Sequence, residues 1–128
     1  MADTSSLQKC VLLVDDDEYL SDVICSAIIQ NGADATHVGT LGAAMVELMR
    51  KDYSLVLLDL GLPDSSSSDT MACLAHIITR ARCPVVVITG SDLTENLVER
   101  AKSAGVKDVI SKNSFSLTNK LVVLLAET

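Results

Sequence analysis

VLLVDDDE, residues 11–18, runs four apolar residues straight into three aspartates and a glutamate. An unbroken apolar run of this length, with no alternation, is what a strand covered on both faces requires. The acids are harder to place. Two carboxylates a few ångströms apart repel by about 4 kcal/mol at an effective dielectric near 20. A buried strand that ends in such a cluster implies a compensating positive charge close by.

The same punctuation recurs along the chain. CVLLV (10–14), LVLLD (55–59) and PVVVIT (84–89) are apolar runs that end on or run directly into Asp or Thr, while ADATHV (33–38) and DVIS (108–111) are weaker strands. Between them, apolar residues repeat at helical spacing. Leu20, Val23, Ile24, Ala27 and Ile28 form one stripe, stopped by Asn31-Gly32. Leu41, Ala44, Met45, Leu48 and Met49 form a second, with Thr40 as N-cap. Met71, Leu74, Ala75 and Ile78 form a third; Leu97, Val98, Ala101 and Ala104 a fourth, ended by Gly105; Leu117, Leu121, Leu124 and Leu125 a fifth. Regular alternation of apolar strands with amphipathic helices predicts a doubly wound α/β fold: a five-stranded parallel sheet covered by helices on both faces. The biased tract DSSSSD (64–69) reads as a loop leading into the third helix.

Composition narrows the function. At 128 residues the chain fits one domain. Aromatic residues make up 2% of it, too few for a base-stacking platform, and a net charge of -7 disfavours binding to a phosphate backbone. Direct nucleic-acid binding is therefore not expected. Cys10, Cys25, Cys73 and Cys83 form no C-x-x-C pair and read as small core residues in a reducing compartment. MADTSSLQK has no apolar segment of the signal-peptide kind, and the longest apolar runs are too short to span a bilayer. These features predict a cytoplasmic protein without a membrane association.

In an open parallel sheet, ligands bind beyond the carboxyl ends of the strands, where strand order reverses. The strand order 2-1-3-4-5 would bring together Asp15 and Asp16 from the first strand, Asp59 from the third, Thr89 from the fourth and Lys112 from the fifth. Few, partly solvated oxygen ligands suit Mg2+, or Mn2+, completed by water and phosphate oxygens. Lys112 would offer a point charge and Thr89 a hydroxyl to a phosphoryl group, with a carboxylate as nucleophile.

LLVDDD (12–17), LVLLDLGLPD (55–64), VVVITG (85–90) and GVKDVISK (105–112) together resemble the receiver domain of two-component response regulators, over about residues 9 to 126. The resemblance implies one receiver domain, 1–128, with a flavodoxin-like fold. It implies Asp59 as the phospho-accepting residue, Asp16 as a direct metal ligand and Asp15 as its partner. It further implies the Gly61 carbonyl as the third protein ligand, Thr89 as the switch hydroxyl and Lys112 as the lysine that pairs with the phosphoryl group. The implied partners are a sensor histidine kinase or histidine phosphotransfer protein, and a downstream protein or fused output domain. The implied role is signalling, with catalysis limited to the domain's own phosphoryl transfer and dephosphorylation.

Asp17 matches no family role and reads as a helix-start acid. His37 and His76 read as surface or edge residues. Three positions depart from the family pattern: Asn113 follows Lys112 where a proline is usual, Val109 replaces an aromatic switch residue, and Ser67 stands where a glycine commonly opens the third helix. Those departures support an alternative, a degenerate receiver acting as a phosphorylation-independent interaction module. A flavodoxin-like cofactor binder would need a phosphate loop that DDDEYL, 15–20, does not provide. A small aspartyl-phosphate hydrolase would need a cap for which 128 residues leave little room.

Overall fold

The computed structural model describes residues 9–60, 70–90, 95–112 and 117–128. Five strands alternate with five helices: β1 (Cys10–Val14), α1 (Glu18–Gln30), β2 (Asp34–Val38), α2 (Leu41–Arg50), β3 (Leu55–Asp59), α3 (Thr70–Ala81), β4 (Val85–Thr89), α4 (Glu95–Ala104), β5 (Asp108–Ser111) and α5 (Leu117–Glu127). The strands pair in parallel in the order β2-β1-β3-β4-β5. The strand boundaries follow the apolar runs to within a residue. β4 begins after Pro84, which lacks the N–H a ladder needs, and β2 begins at Asp34.

Side chains of a strand point alternately to opposite faces, so a continuous apolar run feeds two cores. Leu12, Val14, Val56, Leu58, Val85 and Val87 pack with Ala44, Leu48, Leu74, Ile77 and Ala101 of α2, α3 and α4. Val11, Leu13, Leu55, Leu57, Val86 and Ile88 pack on the other face with Ile24 and Ile28 of α1 and Leu117, Leu121 and Leu124 of α5. β2 lies at the sheet edge and is only half buried, which explains its weaker apolar signal.

The helix ends are set by local chemistry. Asp17 is the N-cap of α1 and accepts from the Leu20 amide at 3.0 Å; Thr40 caps α2 by accepting from the Ala43 amide at 3.1 Å. Gly105 closes α4 at φ +114°, a backbone conformation costly for other residues.

Two stripe residues differ from the sequence reading. Val23 is 45% exposed and Met49 71% exposed. Each sits at the margin of its helix's apolar stripe and lines an open groove, Val23 with Thr118 of α5 and Met49 with His76 and Thr79 of α3. The cysteines also sit higher than expected. Cys10, Cys25 and Cys83 are half-buried at the core margin and form no disulfide, and burial pushes the Cys83 thiol up to about 11. Cys73's side chain, the tract 64–69 and Ser67 lie outside the described residues. No helix among the described residues is long and apolar enough to cross a membrane.

Leu57 is fully buried in the central strand β3. Leu57→Ala should lower unfolding free energy by about 2–5 kcal/mol, measured by urea denaturation, because a cavity between sheet and helices cannot collapse.

Candidate functional site

The sheet register assembles the site. Val14 pairs with Leu58, so the residues that follow, Asp15 and Asp59, leave adjacent strands at the same level. Asp59 pairs with Ile88, and Thr89 pairs with Ser111, which carries Thr89 and Lys112 to the same rim. The Lys112 amide donates to the Thr89 carbonyl at 2.9 Å, tying the end of β5 to β4.

Asp15, Asp16 and Asp59 each offer a carboxylate oxygen, and the three oxygens lie within 4.8 Å of one another. Their environments differ. Asp15 is fully buried, Asp59 nearly so at 5%, and Asp16 is exposed. Lys112 supplies the positive charge that the acids demand. Its Nζ donates to Asp15 Oδ1 at 3.0 Å and to Asp59 Oδ2 at 2.9 Å. Burial opposes the ammonium's charge, but the hydrogen bonds and negative charges of Asp15 and Asp59 outweigh it and hold its pKa above the ordinary lysine value.

Asp15 also accepts from the Asp17 amide at 3.0 Å, so one residue both caps α1 and helps orient the buried acid. Burial is the dominant influence on Asp15 and, with repulsion from Asp59, lifts its pKa above the ordinary value despite the Asp17 amide and Lys112. Asp15 Oδ2 lies 2.9 Å from Lys112 Nζ, close enough for charge attraction, yet it is buried without a well-directed hydrogen bond. A buried carboxylate oxygen short of a donor, with two more acid oxygens beside it, is a fitting donor set for a hard divalent cation.

Asp15, Asp16, Asp59 and Lys112 are thus in one constellation, with Thr89 buried at the adjoining strand end. Gly61 and Asn113 lie outside the described residues. His37 lies on the edge strand β2, and its ring nitrogen Nε2 is 2.6 Å from the Asp15 carbonyl oxygen. No spacing motif signals that contact; it depends on the pairing of β2 with β1.

Comparison with known proteins agrees with this geometry. Residues 11–122 match the family described as response regulator receiver domain. The chain belongs to that family. Among curated relatives, the sensory transduction protein RegX3 of Mycolicibacterium smegmatis is 37% identical over 82 residues, covering 64% of this chain and 35% of RegX3. The aerobic respiration control sensor protein ArcB of Escherichia coli is 31% identical over 103 residues, covering 80% of this chain and 13% of ArcB. The chain therefore spans about a third of RegX3 and a smaller part of ArcB. A response regulator from Thermotoga maritima superposes with a TM-score of 0.81 at 17% identity, covering 94% of this chain and 96% of that one. A CheY-like receiver domain protein from Methanospirillum hungatei superposes with a TM-score of 0.79 at 24% identity, covering 94% and 92%. These likenesses bear on the fold. The receiver is a signalling domain of two-component systems.

Because the folded-state pKa of Asp15 lies above its unfolded value, the protonated acid favours the folded receiver, and stability is given up as pH rises through that pKa. In the absence of divalent metal, Asp15→Asn should therefore be more stable than wild type at neutral pH, read as a higher urea midpoint. The gap in urea midpoints should close as the pH falls and the wild-type acid takes up its proton.

Proposed function

We propose that this receiver takes a phosphoryl group from the phosphohistidine of a sensor kinase or histidine phosphotransfer protein onto Asp59. The observation that carries the reading is the pair of contacts from the largely buried Lys112 to Asp15 and Asp59. A carboxylate nucleophile needs its charge held in place but not extinguished. The Lys112 ammonium beside Asp59 Oδ2 does this by an ion pair and not by protonation, so the carboxylate keeps its nucleophilic character.

In the transfer, a carboxylate oxygen of Asp59 forms the new P–O bond as the P–N bond to the donor imidazole breaks. The imidazole leaves with the bonding pair and takes up a proton. Lys112 exchanges its contact with the Asp59 carboxylate for one with a phosphoryl oxygen, and Thr89 donates its hydroxyl to another. Asp15 and Asp16, with Asp59 and the Gly61 carbonyl, would hold Mg2+ or Mn2+. The cation's contribution is to neutralise phosphoryl charge as the acids and phosphate converge. Positioned water then hydrolyses the acyl phosphate and resets the domain.

Output needs a surface whose two arrangements differ in partner affinity. The elements next to Thr89 and Lys112 are α4, β5 and α5. Val109, in β5, is 7% exposed and packs with Val87 and Ala101. It has no ring to swing, so we assign the relay to the shift of Thr89 and the backbone of β4 and β5, which the Lys112 amide joins. The 128 residues act as one cytoplasmic receiver unit, recognised upstream by a histidine kinase and downstream by a partner protein or output domain.

Incubation with acetyl phosphate and Mg2+ should add the mass of one phosphoryl group to wild type and none to Asp59→Asn, read by intact-protein mass spectrometry. Chelation of the metal should abolish the adduct. An equal adduct on Asp59→Asn, or none on wild type, rules the proposal out.

A further inference from the structure

Asp15 is gripped by the edge strand through both of its backbone groups. Its amide donates to the Val38 carbonyl at 3.0 Å, as the parallel ladder dictates. Its carbonyl would next accept from an amide two residues further along β2. The paired register ends at Val14–Val38, where the chain turns into α2, and the ladder is not continued to that carbonyl. The donor comes instead from a side chain: His37 Nε2 sits 2.6 Å from the Asp15 carbonyl oxygen. A carbonyl oxygen can only accept, so His37 carries its proton on Nε2.

That carbonyl belongs to the peptide unit joining Asp15 to Asp16. A planar peptide held at its oxygen is held in orientation, and its far side sets where the Asp16 side chain begins. The Asp15 carboxylate has its own restraints in the Asp17 amide and Lys112. Asp16 is exposed, and its carboxylate makes no hydrogen bond or ion pair with the described residues. Among the described residues, backbone orientation is therefore the restraint on where that acid points.

We propose that His37 is a positioning residue for divalent-cation binding, acting through the Asp15–Asp16 peptide on the Asp16 carboxylate. The role rests on the reading of Asp16 as a metal ligand. Replacing a group that holds a ligand in place typically weakens metal binding by about 10–100-fold.

Three proteins test it: wild type, His37→Ala and His37→Gln. The Gln amide carries an N–H at nearly the reach of Nε2. In Mg2+ titration calorimetry, His37→Ala should raise Kd on the order of tenfold, and His37→Gln should recover most of that loss. Urea stability of the metal-free proteins should stay close together. Long-range 1H–15N correlation spectra of metal-free wild type should show His37 protonated at Nε2. An Nδ1–H tautomer, or His37→Ala binding Mg2+ as wild type does, overturns the role of His37 alone. Equal weakening in His37→Ala and His37→Gln, alongside lost stability in both, also overturns it, because that marks a general loosening of the sheet edge. Absence of Mg2+ binding by wild type overturns the metal reading, and the role of His37 falls with it.

Discussion

The Lys112 ammonium, set between Asp15 and Asp59, is the interaction on which the rest of the site depends. Three acids converge where the ends of β1 and β3 meet, and two of them are removed from water. A low-dielectric site makes their repulsion costly and the attraction of one cation correspondingly strong. The lysine comes from β5, two strands away from β3 and three from β1, so neutralisation requires the sheet to be complete. Fold and site are coupled through that single side chain.

The arrangement also sets a conflict between stability and chemistry. One ammonium faces three carboxylates, and the Asp15 acid is held above its ordinary pKa chiefly by burial. An apolar or neutral residue there would suit the fold better. Keeping the acid leaves an electron-rich cluster with a buried oxygen, Asp15 Oδ2, short of a donor. Such a donor set favours hard cations.

The edge strand has a larger part than its weak sequence signal suggests. β2 is half-buried and carries no acid of the constellation. Yet its backbone takes the Asp15 amide and its His37 ring meets the Asp15 carbonyl. An edge strand is free of packing on one side, which leaves room for a side chain to fold over the neighbouring loop. In the centre of the sheet, both flanks of β1 and β3 are already occupied by paired strands.

By itself the sequence determined the elements and their order. Continuous apolar runs in β1, β3 and β4 reflect burial on two faces, and caps such as Asp17 and Thr40 are local chemistry that needs no tertiary context. The identity of the acids, the hydroxyl and the lysine was equally legible, because each stands at the end of an apolar run. What the tertiary structure alone decided was how these groups divide the work. Asp15 and Asp16 are neighbours in sequence, yet one is buried against Lys112 and the other faces solvent, since successive side chains at a strand end diverge. Val23 and Met49 share a helical period with core residues but face open grooves beside the next helix. His37 meets Asp15 across 22 residues only because β2 pairs with β1 in one register. Periodicity encodes which face a residue takes; it does not encode what stands opposite, which depends on how separate strands are brought into line.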